Sequence, residues 1–359
     1  MFTPSLATLG HRGRVGLSAA ALLLLLAACS SGPSPSSSSA AAGGSGGCPY
    51  KFAVITHGDN GNFWSVVYKG AKDAAAKTGC TLTQVWGSQQ QGQANPDDNA
   101  ENAQIQNAIN AKVDGIAVSD HDPALMNGTL AKAVAAGIPV VLLNAGCDDA
   151  DIAASGAITC VGQPETLAGQ KIGARLLTEK ATNALCVVHQ SGQNQLDRCN
   201  GVAQGLGVGQ TCTTTGTAPA NGPACTELIL STPNAASNPT QAIGQVSAYL
   251  QAHPQVNAVI TLNTAIGNAL VSAKPANNPK IVTFDLDATV ESEIKAGTIE
   301  FAVDQQQYLQ GYLPILFLQV FKAAHGNAVG GGTTVPSGPK LVDKTNIDTV
   351  SAAIAAGED

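Results

Sequence analysis

The sequence predicts an α/β protein made of two similar doubly wound lobes, each a parallel sheet with helices on both faces. Short apolar runs alternate with segments of helical periodicity along most of the chain, which is typical of such sheets. A strand–helix–strand pattern at residues 113–144 returns at residues 256–285, which indicates two related halves rather than a repeat array. The length of 359 residues suits two lobes of ordinary domain size.

The first half opens with the apolar run Phe52–Ile55, a strand pattern that is closed by the turn-forming residues 58–61. Apolar residues spaced three and four apart then predict a helix that Asn62 caps and Gly79 ends. The same rules predict the later elements of this half. These are strands at 82–86, 113–119 and 138–144 and helices at 98–111 and 123–136.

The second half repeats the alternation. Its predicted strands are at 185–189, 228–230, 256–262, 280–285 and 301–303, with a helix at 264–273. The apolar stretch Leu313–Phe321 is too short to span a membrane and is interpreted as one face of a buried helix.

The first residues have the pattern of an export signal. Residues 1–28 combine a short basic region with an apolar run that includes five consecutive leucines, 22–26, so we interpret them as a signal peptide. Leu26-Ala27-Ala28-Cys29 resembles a bacterial lipobox, which predicts that Cys29 is lipidated. Residues 29–47 are almost wholly Ser, Gly, Ala and Pro and are predicted to be a flexible tether.

The cysteine count agrees with export. The chain has nine cysteines, and setting Cys29 aside leaves eight, an even number. There is no CxxC motif and no Cys/His grouping, so metal binding is the weaker interpretation. Three pairs share one spacing, which favours sequential pairing among the many possible connectivities. The predicted disulfides are Cys48–Cys80, Cys147–Cys160, Cys186–Cys199 and Cys212–Cys225.

Composition and charge exclude several classes of function. Apolar residues make up 44% of the chain, which excludes wholesale disorder. Charged residues make up only 12%, the formal net charge is −7, and no basic cluster interrupts this acidity. A nucleic-acid-binding surface is therefore not expected.

Polar side chains follow the predicted strands at the points where the strands end. The carboxyl ends of parallel strands share one edge of the sheet, where ligands bind. Carboxylates, amides and an arginine fork suit vicinal hydroxyls, and aromatic faces cover the apolar side of a sugar-like ring, so the set indicates a neutral polyhydroxylated ligand. Strand-end Asp and Asn also cap helices, and for each residue alone capping is an equal alternative. The residues are Asp59, Asn60, Asp122, Asn144, Gln190, Asn263, Asp285 and Gln305, with Phe63, Trp64 and Arg198 opening nearby helices.

Residues 51–342 resemble the type I periplasmic binding proteins, in the ribose- and galactose-type sugar-binding branch that serves ABC importers. The resemblance implies two lobes that close over a ligand about a three-segment hinge, near 144–147, 303–306 and 330–340. The implied lobes are 48–145 with 306–332 and 146–305 with 333–359. It rests on the motifs Phe63-Trp64 with Lys69-Gly70-Ala71, Val113–Ile116, Ala136–Val141, Gly162-Gln163, Arg198–Gly201, Phe284-Asp285 and Asp304–Tyr312.

The resemblance also implies roles for the strand-end residues. Phe63 and Trp64 would sandwich the ring of the ligand. Asn144 is added because it stands where the family often has an acidic or amide residue, and Asn60 is taken from a turn in which the alignment leaves Asp59 and Asn60 undecided. The implied partners of the ligand hydroxyls are Asp122, Arg198, Asn263, Asp285 and Gln305.

The implied function is that of an extracytoplasmic solute-binding lipoprotein, not an enzyme. It would capture a sugar, a sugar alcohol or a cyclitol and deliver it to an ABC permease with its ATPase. No cofactor, metal or nucleic acid is expected, and a monomer is the default state. The alternative is a sensor in which the same lobes present a bound signal molecule to a membrane receptor.

Two other interpretations are weaker. Ser191 follows a strand and precedes a helix as a nucleophile would, but its neighbours lack the GxSxG pattern and no base–acid set accompanies it. The run Asp120-His121-Asp122 offers metal-binding side chains, but the sequence shows no third separated ligand. Neither pattern therefore predicts an enzyme.

Overall fold

The computed structural model describes residues 47–58, 61–89, 96–214, 223–232, 235–275, 277–326 and 330–359. The predicted signal peptide, the tether as far as residue 46, the lipidated Cys29, and the turn residues Asp59 and Asn60 lie outside these ranges. Within these ranges, no helix is both long and apolar enough to cross a membrane.

Strands and helices alternate as the sequence predicts. The strands are β1 Lys51–Thr56, β2 Thr81–Gly87, β3 Gly115–Val118, β4 Val140–Leu143, β5 Cys160–Gly162, β6 Asn183–Val188, β7 Thr213–Thr214, β8 Ala224–Ile229, β9 Ala258–Thr261, β10 Lys280–Phe284, β11 Phe301–Asp304, β12 Thr334–Pro336 and β13 Lys340–Asp343. The helices are α1 Asn62–Thr78, α2 Asp98–Asn110, α3 Pro123–Ala135, α4 Asp149–Ser155, α5 Glu165–Thr178, α6 Gln193–Leu206, α7 Pro239–Ala252, α8 Thr264–Ala273, α9 Ala288–Ala296, α10 Gln307–Ala323 and α11 Ser351–Ala356, with a 3₁₀ turn at Ile347–Thr349.

The strands form two sheets, one in each lobe. In the described part of the chain, the first sheet has the order β12-β5-β4-β3-β1-β2 and is parallel throughout. The second sheet has the order β13-β11-β10-β9-β6-β8-β7, in which β13 runs antiparallel to β11 and the other pairs are parallel. This topology confirms the predicted fold class.

Each sheet is covered by helices on both faces, as β1 illustrates. Phe52 and Val54 pack with α1 and α10 on one face, and Ala53 and Ile55 pack with α2 and α3 on the other. Because both faces are buried, the strand is continuously apolar instead of alternating. The second sheet has its own pair of apolar clusters, one on each face.

Helices α5 and α6 of the second lobe approach each other through glycines. A Cβ atom at Gly169 would lie 2.0 Å from the backbone oxygen of Arg198, and one at Gly201 would lie 2.2 Å from that of Thr166. Side chains at these positions would push the helices apart. The close contact places Arg198 on α6 next to Glu165, the first residue of α5.

Three segments join the lobes, and two of them lie where the sequence places them. The chain crosses after β11, at Gln305–Gln306, and between β12 and β13, at 337–339. The first crossing comes after β5, at Gln163–Pro164, and not at 144–147, because β5 pairs with β4 inside the first sheet.

The predicted lobe boundaries need a corresponding correction. Strands β5 and β12 pair with each other in the first sheet, so residues 146–162 and 333–336 extend the first lobe beyond the predicted 48–145 and 306–332. Both strands have only three residues, and such short runs carry little periodic signal.

The disulfides follow the predicted pairing. Cys48–Cys80, Cys147–Cys160, Cys186–Cys199 and Cys212–Cys225 are all formed. The first ties the segments that lead into β1 and β2, and the second ties the loop after β4 to β5. They link neighbouring elements within one lobe, so none of them bridges the hinge.

Candidate functional site

A cavity of about 440 Å³ lies between the lobes at the carboxyl ends of the strands. Both lobes contribute to its walls, as expected for a ligand site at strand ends. It brings together most of the residues that the sequence predicts for the site. Those that line it are Phe63, Trp64, Asn144, Arg198, Asn263, Asp285 and Gln305.

The Arg198 guanidinium is buried and held by several hydrogen bonds. Its Nε and Nη2 atoms donate to the two carboxylate oxygens of Glu165, each at 2.7 Å, and Nη2 also donates to Oε1 of Gln305 at 3.0 Å. The ring of Phe284 lies against it, with the centroid 4.5 Å from Cζ. The positive charge is therefore neutralised within the protein, and the arginine is fixed as a donor at the cavity wall.

Asp285 lies on the same wall, directly after β10. Its Oδ1 atom accepts a hydrogen bond of 2.6 Å from Nε2 of Gln305, and its backbone adopts a left-handed φ of 71°. Burial is the main reason why the pKa of Asp285 rises to about 7, while Arg198 and the Gln305 hydrogen bond act to lower it. The group can therefore accept or donate hydrogen bonds near neutral pH.

Aromatic side chains at the start of α1 form the opposite wall. Phe63 and Trp64 meet edge to face with ring centroids 5.0 Å apart, and the His57 ring meets Trp64 in the same way at 4.7 Å. Gly58 allows this packing, since a Cβ atom there would lie 2.3 Å from Cδ2 of Trp64. The wall presents ring surface of the kind that covers the apolar side of a sugar-like molecule.

Two buried histidines at the cavity are neutral. Burial, with smaller effects of His121 and Arg198, holds the pKa of His57 well below its usual value, and the ring hydrogen-bonds to Oγ of Ser119 at 2.8 Å. Burial and Arg198 lower the pKa of His189 to about 3. These two histidines therefore add hydrogen-bonding groups without charge, and the carboxylates Asp285, Asp287 and Asp359 also line the cavity.

Asn144 connects the site to the hinge. It has a left-handed φ of 62°, and its Nδ2 atom donates to Oε1 of Gln310 at 3.0 Å. Gln310 in turn donates to the backbone oxygen of Gln305 at 3.2 Å and to Oγ of Ser337 at 3.1 Å, so it contacts two of the three crossings. A ligand bound to Asn144 would thus contact a side chain that is coupled to the hinge.

Asp122 does not belong to the cavity wall, contrary to the prediction. Its side chain accepts a hydrogen bond from the backbone N–H of Leu125 and caps α3. Asn263 caps α8 in the same way, through the backbone N–H of Ile266, yet it also lines the cavity. Asn263 therefore both caps a helix and lines the cavity, whereas Asp122 caps a helix outside it.

A family profile described as a periplasmic binding protein domain matches residues 52–321. The chain belongs to this family. It is therefore a substrate-binding protein and not an enzyme, and its family is extracytoplasmic, as the sequence predicts.

Three solved or characterised proteins are similar to this periplasmic binding protein in sequence or fold. A carbohydrate transporter from Acidothermus cellulolyticus, crystallised with myo-inositol, is 34% identical and covers 86% of this chain and 99% of its own, with a TM-score of 0.73. The xylose/arabinose-binding protein of Sulfolobus acidocaldarius is 24% identical over 315 residues, which are 83% of this chain and 72% of that protein. A solute-binding protein of Burkholderia graminis, crystallised with D-arabinose, shares the fold at 20% identity, covering 83% of this chain and 96% of its own, with a TM-score of 0.66.

Several residues of this binding protein's cleft were not predicted from the sequence. His57 is 2% exposed and lines the cavity. Like His189, it directly follows a strand, so the strand-end rule that selected Asn144 and Gln190 could have found it. Glu165 carries no such signal, because it follows the hinge crossing and acts through Arg198.

Proposed function

We propose that this binding protein captures a neutral cyclitol or sugar between its lobes and delivers it to an ABC import permease with its ATPase. The observation that carries the proposal is the near-neutral hydrogen-bonding wall. Arg198 is paired with Glu165, Asp285 has a pKa of about 7, and His189 is neutral. Among these three groups a charged ligand would find no uncompensated counter-charge, and the carboxylates Asp287 and Asp359 elsewhere in the lining disfavour an anion.

The size and shape of the cleft favour a single ring. The cavity of about 440 Å³ lies at the low end of the usual range for small-molecule sites. The bound myo-inositol of the relative that is 34% identical makes myo-inositol the first ligand to test. Phe63 and Trp64 would cover the ring, and the hydroxyls would meet Asn144, Arg198, Asn263, Asp285 and Gln305, with Asn60 retained for its position after β1.

The mechanism follows from the placement of these groups on both lobes. A ligand that contacts both lobes binds the closed form more tightly than the open form and shifts the equilibrium toward closure. Gln305 lies at one crossing, and Gln310 on α10 donates to two crossings, so both amides are suited to change partners as the lobes move. The closed form is the state that we expect the permease to recognise.

We also propose that the mature chain is anchored to the outer face of the membrane through a lipid on Cys29. The lipobox and the Ser/Gly-rich tether that follows it support this location. Replacing Cys29 by Ser should release the protein from the membrane fraction of the producing cell. Continued membrane retention of Cys29→Ser would contradict the anchor.

The ligand class is tested by calorimetric titration of the ligand-stripped protein. The panel is myo-inositol, D-xylose, L-arabinose, D-allose and sorbitol, with glutamate and lysine as charged controls. We expect at least one polyol to bind with a dissociation constant of about 1 μM, equivalent to roughly −8 kcal/mol. The charged controls should not bind. Binding of a charged control without any polyol would overturn the proposal.

A further inference from the structure

A second cavity, of about 470 Å³, lies beside the ligand cleft and shares Asn144 and Asn194 with it. We call it the acidic chamber. The first lobe contributes its loops after β3 and β4, and the second lobe contributes residues 163–167 and 193–197. The chamber is therefore lined by both lobes, and of the described residues proposed for the sugar site only Asn144 also lines it.

Asp120 is the most unusual group in the acidic chamber. It follows β3, it is 1% exposed, and neither of its carboxylate oxygens has a hydrogen-bond partner. Gly146 packs directly against it, since a Cβ atom there would lie 2.7 Å from Cβ of Asp120. A buried carboxylate without partners is costly, and in native proteins it points to an ion or ligand that completes its hydrogen bonds.

The surroundings of Asp120 add negative charge instead of compensating it. Further carboxylates line the chamber, and none of the described residues that line it is a lysine or an arginine. Burial, followed by repulsion from Asp151 and Asp122, raises the pKa of Asp120 to about 7, whereas nearby His121 lowers it. His121 is itself paired with Asp98 at 2.9 Å, and Glu165 with Arg198. The lining carboxylates without a basic partner are Asp120, Asp148, Asp149, Asp151 and Asp197.

These carboxylates are arranged for a molecule and not for a metal ion. Among the described residues, no three His, Cys, Asp or Glu side chains converge closely enough to hold a metal. They line a chamber of about 470 Å³ in which Asp120 is buried, whereas Asp148 and Asp149 are exposed. An elongated cation with a charge at each end matches this spread.

We propose that the acidic chamber is a second binding site for a small organic diammonium ion. One primary ammonium group, which carries three donors and no acceptor, would complete the hydrogen bonds of Asp120. The other would lie among the carboxylates at the rim. Since both lobes line the chamber, the cation would also stabilise the closed form and strengthen sugar binding, and the sugar would strengthen cation binding by the same factor.

Calorimetric titration of the mature protein with putrescine at low ionic strength tests the proposal. We expect saturable binding of one ion per chain, and no binding of 1,4-butanediol, which has the same length without charge. Asp120→Asn should weaken putrescine binding by about tenfold or more, and Asp151→Asn should weaken it less. Asp348→Asn removes the same charge from an exposed site elsewhere in the second lobe and should bind putrescine like the wild type.

Four results would overturn the proposal. These are no putrescine binding by the wild type, equal weakening in Asp120→Asn and Asp348→Asn, equal binding of butanediol, and preference for Ca²⁺ over putrescine. Melting temperatures check that each variant is folded, and if Asp120→Asn does not fold, the comparison of Asp151→Asn with Asp348→Asn decides. Titration with myo-inositol is a separate measurement, so a failed sugar site and a failed cation site give different results.

Discussion

At the residue scale, the charged partner of Arg198 lies behind the cleft wall, and hydrogen-bonding groups face the cavity. Glu165 lies behind Arg198, with the two side chains 10% and 5% exposed, so the ion pair is largely removed from solvent. Gln305 then accepts from Arg198 and donates to Asp285, which orients both of its amide atoms. This wall of the cleft therefore presents a fixed chain of hydrogen-bonding groups.

The first prediction concerns this ion pair. Replacing Arg198 by Met should lower the free energy of unfolding by about 3–5 kcal/mol, because it leaves the Glu165 carboxylate buried without its partner. The double variant Arg198→Met/Glu165→Gln should recover much of that loss, since it removes both charges. Chemical denaturation measures both values.

Comparing the stability of the single and double variants tests whether Arg198 and Glu165 are coupled. If the two substitutions act independently, the double variant is less stable than Arg198→Met alone, and the pair is then not coupled as the geometry requires. Polyol binding should be lost in both variants, because each lacks the guanidinium that holds Gln305.

The second prediction concerns pH. The pKa of Asp285 is about 7 in the folded protein, above the value for an unfolded chain. Between about pH 4 and pH 7, the folded state therefore binds more protons than the unfolded state. The contribution of Asp285 to stability must therefore fall as pH rises through this window. Arg198, Glu165 and Asp359 are the charged groups that act on it.

The measurement is the difference in melting temperature between wild type and Asp285→Asn from pH 5 to pH 8. We expect the variant to gain stability relative to the wild type as pH rises. The comparison with the variant is needed because His57 and His189 also make stability depend on pH. Their pKa values are lowered in the folded protein, so their contribution to stability is lost as pH falls below about 6.5, which is the opposite sense. A difference that does not change with pH would mean that Asp285 is not shifted.

Part of the site could be predicted from single residues because parallel strands end at one edge. Asn144, Asn263, Asp285 and Gln305 were found in this way, and all four line the cleft. The rule could not separate Asp122 from Asn263, because both cap helices and only the three-dimensional position differs. It could not find Glu165 either, since an ion-pair partner buried behind the wall has no local signature.

At the element scale, four-residue strands such as β3 and β9 are predicted, whereas the three-residue β5 and β12 are not, and the longer helix α7 is not predicted either. The run Phe52–Ile55 lies within β1, and Gly79 ends α1 in a left-handed cap, as the sequence indicates. Helix α1 begins one residue earlier than predicted, because Gly61 is the N-cap and Asn62 is already helical. Strand β5 was missed because three residues are too few to show periodicity, and the first hinge crossing was misplaced with it.

The third prediction concerns the contact between α5 and α6. Gly201→Ala places a Cβ atom 2.2 Å from the backbone oxygen of Thr166, so the helices must separate. We expect a loss of roughly 1–3 kcal/mol in the free energy of unfolding, together with weaker polyol binding because Arg198 moves. Denaturation and calorimetric titration measure the two effects.

Gly244→Ala is the matched control, since Gly244 lies within α7 and a Cβ atom there meets nothing within 4 Å. It should be neutral or stabilising by roughly 0.5–1 kcal/mol, as expected for alanine in an open helix position. If Gly201→Ala behaved like this control, the glycine contact would not position Arg198.

At the scale of the whole molecule, the two lobes are joined at the hinge and also touch across the cleft. His121 of the first lobe lies 3.2 Å, through Nε2, from the backbone oxygen of Ser191 in the second lobe. Its other ring nitrogen lies 2.9 Å from Oδ1 of Asp98, which orients the ring. This contact can form only when the lobes are close together, so it belongs to the closed arrangement.

The last prediction follows from that contact. His121→Ala removes an interlobe hydrogen bond worth about 0.5–1.5 kcal/mol and should shift the equilibrium toward the open form. The polyol affinity should then fall by roughly 2–10-fold, since part of the binding energy is needed for closure, and small-angle scattering of the ligand-free protein should show a larger radius of gyration. His253→Ala, which removes a histidine that follows α7, should change neither quantity. A lowered affinity with an unchanged radius would mean that His121 contacts the ligand instead of holding the lobes together.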